Sequence, residues 1–425
     1  MVFQSVYIVA VVAIIAALAL TFSPEEPAYI PFNEDQRLER PDTTEPIIIR
    51  FVDGDMKTML TGKLYLPFSP SIAVSDSSTA GDGDGRSRRL PPVIVMAHGM
   101  GLIQDSGLTP FIKAFRSSDD KSHGGFAVFT FDYATFGASD GYPRHQVHPT
   151  KHVADLKAAI GLIQNGEKND KEGEFDKTSN RYNFNLYVDT TRIGVWGTSL
   201  GGGHVLMVQQ DLVQTEHRGN ANSHIKAVIS QVPHIASGLE SIIGSLVTSP
   251  RHTSLGVALY IVNLIKWTIL QAVFKKPSYM HLVGQPGTAA LMQNVGDYEG
   301  YLSTLAPTND KYLTSTHGWE NAATSDSGLH MLIYRPLSAL GPNRNGASEN
   351  AYDNANGPPV LLFAAEHDTL CPAKYVQQAR ERIGSRAELH LIEDAGHFDV
   401  YRGEYLEAML EKQVRFFKTH LLGKS

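Results

Sequence analysis

Cysteine is almost missing from the chain: Cys371 stands alone among 425 residues. A single thiol forms no internal disulfide, and cysteine-rich zinc sites, which need several thiolates at short spacing, are excluded with it. Blocks of Lys and Arg are missing too. With 37 Lys+Arg against 44 Asp+Glu and a net charge of −7, the chain lacks the phosphate-neutralising footprint of a nucleic-acid binder, so no nucleic-acid partner is expected. There is no Asn-x-Ser/Thr sequon, so glycosylation says nothing about compartment. The low apolar content and extreme charge of a disordered chain are also absent. At 42% apolar, this length supports a large core, in one big domain or two smaller ones.

Charge is missing altogether from residues 1 to 24, and Val6 to Leu20 is nearly all Val, Ile, Ala and Leu. Such a segment is directed to a membrane. Ala17-Leu18-Ala19 offers a small-residue cleavage site, yet no Lys or Arg forms a positive n-region. Residues 1–23 therefore read either as a cleaved signal peptide or as a retained anchor holding the membrane through residues 6–22. Both place the remainder in the secretory pathway, membrane-anchored or secreted and lumenal. A polar, Pro-containing linker leads to about residue 45.

From there to residue 425 strands and helices alternate, the pattern of a single α/β domain. Short β-branched runs occur at Ile47–Val52, Leu64–Leu66, Val93–Ala97, Phe126–Phe131, Arg192–Trp196, Ile225–Gln231, Val360–Ala365 and Glu388–Ile392. Helical patterns lie between most of them, at Thr109–Arg116, Thr150–Ile163, Leu200–Val213, Ala373–Ile383 and Tyr405–Leu421. Near-continuous apolar strands separated by helices predict a mostly parallel, eight-stranded sheet covered on both faces. The first two strands, joined through Asp53-Gly54-Asp55, predict an antiparallel lead-in. Ser75–Arg89, Gly166–Tyr182 and Asn343–Gly357 are polar and rich in Gly, Asn, Asp and Ser, as surface insertions are.

Between residues 234 and 342 the alternation lapses, which predicts a mostly helical cap inserted into the domain. Its Leu255–Phe274 segment is twenty residues long and apolar, interrupted by Asn263, Lys266 and Gln271. A membrane crossing there would put the residues before and after it on opposite sides of a bilayer. It is read instead as a cap helix, with Leu255, Leu259, Val262, Ile269 and Val273 near one face.

Two G-x-S-x-G matches compete for a nucleophile: Gly137-Ala138-Ser139-Asp140-Gly141 and Gly197-Thr198-Ser199-Leu200-Gly201. A nucleophile elbow needs a strand running into the serine and a helix leaving at once, with glycines where backbone crowds the turn. Ser199 has both neighbours. Ser139 has several loop residues before it and Tyr142-Pro143 after it, so it reads as a loop residue. A serine hydroxyl needs a base and an orienting carboxylate. Asp368 follows the run Val360–Ala365, and His397 follows Glu388–Ile392, in the chain order Ser, Asp, His; Glu366 and Asp399 are alternative carboxylates. The oxyanion N–H donors would be Leu200, at the positive end of the elbow helix, and Met100, in His98-Gly99-Met100-Gly101 after Val93–Ala97. His98 is read as ordering that loop.

Taken together, Ala97-His98-Gly99, the stretch Phe131 to Arg144, Arg192 to His204, Ile225 to Pro233 and Gly396 to Tyr401 resemble the α/β-hydrolase superfamily. Within it they are similar to bacterial and fungal hydrolases described as dienelactone-hydrolase-like or peptidase-S33-like, relatives of fungal polyketide-pathway hydrolases. The resemblance runs from about Val93 to Leu421. It implies the α/β-hydrolase fold and acyl chemistry by Ser199, Asp368 and His397, with no cofactor and no metal, and a shared structural loop at Phe136 to Arg144. The expectation is a serine hydrolase cleaving a carboxylic ester of a small molecule with an apolar part. An amidase or aminopeptidase and an acyltransferase stay open on the same triad, and a non-catalytic binding protein is the remaining alternative. With a neutral imidazole as base, kcat/KM should fall in acid with an apparent pKa near about 6.5.

Overall fold

A computed structural model describes residues 45–55, 57–68, 90–117, 125–165, 184–217, 224–240, 242–243, 250–304, 319–340 and 357–423. The leader at 1–23 and the polar stretches 75–89, 166–182 and 343–356 lie outside the described residues.

Eight strands form one sheet: β1 (Ile47–Val52), β2 (Met59–Tyr65), β3 (Pro92–Ala97), β4 (Ala127–Phe131), β5 (Asp189–Thr198), β6 (Ile225–Gln231), β10 (Val360–Ala365) and β11 (Ala387–Ile392). Their spatial order is β1-β2-β4-β3-β5-β6-β10-β11. The β1–β2 and β2–β4 pairs are antiparallel and all the others parallel. This is the expected mostly parallel sheet with an antiparallel lead-in. The largest difference in a strand boundary is at β2, which starts at Met59 rather than Leu64. Its polar Thr61-Gly62-Lys63 hides it from an apolar-run reading, but it is paired on both sides, with β1 and with β4.

Successive side chains of a strand face opposite sides, and the core divides accordingly. Val93, Val95 and Ala97 pack in one layer with Leu156 and Ile160 of α2 (Pro149–Gln164), Val205 of α3 (Leu200–His217) and Val376 of α8 (Ala373–Ile383). Ile94 and Met96 pack in the other, with Phe111 and Phe115 of α1 (Thr109–Arg116) and Phe417 of α9 (Gly403–Phe417). β3, β4 and β10 are buried along their whole length, as a sheet covered on both faces requires.

Among its described residues, the segment between β6 and β10 carries more helix than strand. It carries helices α4 (Pro250–Phe274), α5 (Asp297–Thr304), α6 (Ser327–Ile333) and α7 (Pro336–Ala339). It also carries a second sheet of three short strands, β7 (Tyr279–Val283), β8 (Ala290–Met292) and β9 (Ala323–Thr324), in the order β8-β7-β9. β8 and β9, of three and two residues, are too short to have a readable period. Leu255, Ile269 and Val273, expected on one face of a cap helix, are exposed, and the polar Asn263 and Lys266 are buried.

Candidate active site

The parallel strands end at one edge of the sheet, and three of those ends carry the site. β5 runs into Ser199, which adopts φ +54 before α3 begins at Leu200. A non-glycine residue in the left-handed region is strained and persists only where its surroundings fix it. Here the Ser199 N–H donates to the Gln231 carbonyl at 2.9 Å, and the His234 N–H donates to the Ser199 carbonyl at 2.9 Å. The flanking glycines are forced by crowding. A Cβ on Gly197 would lie 2.3 Å from the Gly201 carbonyl oxygen, and one on Gly201 would lie 2.2 Å from that of Ala97.

Beneath the elbow runs a chain of buried side chains. Trp196 Nε1 donates to Gln413 Oε1 at 2.8 Å, and Gln413 Nε2 donates to Gln231 Oε1 at 2.8 Å. Gln231 Nε2 reaches Thr198 Oγ1 at 3.3 Å, and Thr198 Oγ1 pairs with the Tyr401 hydroxyl at 2.5 Å. A polar network is tolerated in a core only when its members are satisfied, and this one ties β5 and β6 to α9 and to the turn at Tyr401.

The loops after β10 and β11 bring the other two side chains over Ser199. His397 Nε2 stands 3.1 Å from Ser199 Oγ, and His397 Nδ1 stands 2.6 Å from Asp368 Oδ2. The second oxygen, Asp368 Oδ1, accepts the N–H groups of Leu370 at 2.9 Å and Cys371 at 2.6 Å. Asp368 and His397 are both buried. The alternative carboxylates are engaged elsewhere: Glu366 accepts the Asp394 N–H at 3.1 Å, and Asp399 accepts the Gly396 N–H at 2.9 Å, shaping the His397 loop. Ser139 lies far from this chemistry in role as well as sequence. Its hydroxyl donates to the Asp132 carbonyl at 2.6 Å and accepts the Thr61 N–H at 2.8 Å, which pins a structural loop to β2.

Met100 and Leu200 line, with Ser199, one cavity of about 450 Å³. Two side chains from the β6–β10 segment hold the Met100 loop from above: the Tyr301 hydroxyl donates to the Met100 carbonyl at 2.9 Å, and Trp319 Nε1 donates to the Gly101 carbonyl at 3.0 Å. Tyr301 also packs edge-on against Phe398, beside His397, at 6.2 Å between ring centres. Sequence reading missed both. Their bonds run from side chain to backbone carbonyl across some 200 positions, and no short motif records such a contact. His98 Nδ1 lies 3.0 Å from the Gly99 carbonyl of its own loop, and burial pushes the imidazole down to about 4, so it stays neutral.

For His397 burial favours the neutral form, but the Asp368 charge and hydrogen bond, with a contribution from the Asp297 charge, outweigh it and hold the imidazole above its ordinary value. Asp297, at the start of α5, is itself raised to about 7, by burial first. The Cys371 thiol is pushed up by burial and by the nearby Asp368 charge, so it stays protonated. Among the described residues, Asp368, Cys371 and His397 bring ligand atoms within 4.8 Å of one another, as do the exposed Glu366, His367 and Asp394. In the first group Asp368 Oδ2 and His397 Nδ1 already bond each other.

A serine on a strained strand-to-helix turn of a mostly parallel sheet, with histidine and aspartate on later strand ends, defines the α/β hydrolases. The chain belongs to the alpha/beta hydrolase family, whose profile matches residues 94–408. It is 28% identical over 329 residues to the quorum-quenching protein AidA of Acinetobacter baumannii, covering 77% of this chain and 86% of that protein. It is 20% identical to the thiohydrolase aneE of Aspergillus aculeatus, covering 78% and 87%. The fold is shared with the crystal structure of the α/β hydrolase GrgF from Penicillium sp. sh18, at a TM-score of 0.58 and 18% identity, over 89% of this chain and 99% of that one. Family and relatives together support an enzyme of hydrolytic or acyl-transfer activity.

Proposed function

We propose that this chain is a serine hydrolase cleaving a carboxylic ester. The carrying observation is the relay from Ser199 Oγ through His397 to Asp368, at 3.1 and 2.6 Å, opening on the cavity that Ser199 lines. Ser199 Oγ attacks the ester carbonyl while His397 Nε2 takes its proton, and Asp368 fixes the tautomer and stabilises the imidazolium. The carbonyl oxygen becomes an oxyanion facing the N–H groups of Leu200 and Met100. Collapse expels the alcohol with a proton returned by His397, and water, deprotonated by the same imidazole, releases the acid and restores Ser199. The cavity wall contributed by Val257, Ile261, Leu264 and Met331 favours an apolar acyl or alcohol part. The apolar residues 6–22 support a place in the secretory pathway, as an anchored or a released form.

A thioester is the second substrate reading, favoured by the thiohydrolase relative. Paired p-nitrophenyl esters and thioesters of the same graded acyl chains, run beside aminoacyl anilides and with added alcohol or amine acceptors, separate the readings. Highest kcat/KM on the oxygen esters, with free acid as product, is expected. Turnover confined to the anilides, or product found only on the added acceptor, would overturn the ester assignment.

A further inference from the structure

The helix α4 is apolar on its outward side as well as on the side that lines the cavity. A surface helix normally turns its apolar stripe to the core and its polar residues to water. In α4 the buried positions include Asn263 and Lys266, while Leu255, Ile261, Ile265, Ile269, Val273 and Phe274 are from 41 to 66% exposed. Spacings of four residues align Ile261, Ile265, Ile269 and Val273 in one outward stripe. An exposed apolar surface of this extent marks an interaction site. At the helix end the exposed Lys275 and Lys276 follow Phe274 directly. A basic pair beside an apolar stripe matches the chemistry of an anionic lipid surface, with hydrocarbon below and negative headgroups at its level.

Two further observations choose between lying on a bilayer and crossing it. Ser199 precedes α4 and His397 follows it, yet the two meet at 3.1 Å, so both flanks of the helix are on one side. The helix is nonetheless long and apolar enough to cross a membrane. The stripe is also continuous with the cavity rim: Ile261, Leu239 and Leu329 both line the cavity and stand exposed.

We infer that the outward face of α4 rests on an anionic lipid surface, helix axis in the membrane plane, so that the cavity mouth faces lipid. Residues 6–22 would tether the chain, whereas α4 would orient it. The inference holds for any acyl bond the enzyme cleaves, because it stands on the surface of α4 and the cavity rim and not on the identity of the substrate.

The test places an environment-sensitive nitrobenzoxadiazole label at Ile269→Cys in the full chain, away from the cavity lining. A second preparation carries the label at Glu407→Cys, on the exposed side of α9. Each is mixed with phosphatidylcholine vesicles containing phosphatidylserine and a lipid spin-labelled just below the headgroup. Labelling is mapped by peptide mass, because native Cys371 is buried. Quenching of about twofold or more at 269, with a blue shift and no quenching at 407, is the expected result. In an Ile265→Glu background, where an exposed position keeps the fold intact, the quenching at 269 should be lost. An unquenched 269 label on chain that sediments with the vesicles would overturn the inference. So would a chain that fails to bind them, quenching that persists in Ile265→Glu, or a blue shift without lipid that grows with protein concentration, which would assign the face to a second copy.

Discussion

In the sheet, Val93, Ile94, Val95 and Met96 alternate between two packed layers and all are buried, whereas in α4 Ile265 and Ile269 face outward and Asn263 and Lys266 face in. The two regions use the same residue types to opposite ends. The sheet spends its apolar surface on internal packing and so fixes where the strand ends, and hence Ser199, Asp368 and His397, must lie. The β6–β10 segment places part of its apolar surface on a cavity and part on the outside, while Tyr301 and Trp319 reach back to the Met100 loop. On the proposed function, the first would supply rigid chemistry and the second selection and positioning.

This division can be broken from either side. Asp368→Asn keeps the shape of the site but leaves His397 Nδ1 without its charged partner. A fall of about 10⁴-fold in kcat/KM is expected, with the unfolding midpoint little changed. Phe363→Ala, in the fully buried β10, should cost about 3–5 kcal/mol in denaturant unfolding, while Ile269→Ser on the outer stripe should stay within about 0.5 kcal/mol. Equal losses at the two positions would erase the contrast.

Tyr301→Phe removes only the hydroxyl that holds the Met100 carbonyl. It should lower kcat by roughly tenfold on a short soluble ester with little change in KM, since the oxyanion donor is loosened rather than removed. A change in KM alone would make Tyr301 a wall of the pocket and nothing more. The smallest effect is a pH shift. On the proposed mechanism His397 acts as base only when neutral, and its raised pKa should put the acid limb of kcat/KM above the ordinary imidazole value of about 6.5 rather than at it. Asp297→Asn removes one of the charges that favour the imidazolium, so the limb should move to lower pH; an upward move would reject the coupling between α5 and His397.

The same contrast explains what was legible in the sequence. The central strands announce themselves because a strand buried on both faces is a continuous apolar run, whereas polar residues obscured the starts of β2 (Thr61-Gly62-Lys63) and β5 (Asp189-Thr190-Thr191). The positions of Ser199, Asp368 and His397 were legible because each closes or follows such a run, and the coordinates bring the three side chains together. In the β6–β10 segment neither condition holds. β8 and β9 span three and two residues, too few for a period to emerge. Helical periodicity located the α4 stripe but carries no sign, so it did not tell inward from outward. Tyr301, Trp319 and Asp297 act on the site from a distance in sequence, through carbonyls and charge, where no local pattern exists to be read.

The nucleophile is the point on which the chemistry turns. The intact chain treated with a fluorophosphonate probe and digested for peptide mass mapping should carry one phosphonyl group, on Ser199, and labelling should vanish in Ser199→Ala. Labelling of Ser139, or labelling that survives Ser199→Ala, would contradict the account.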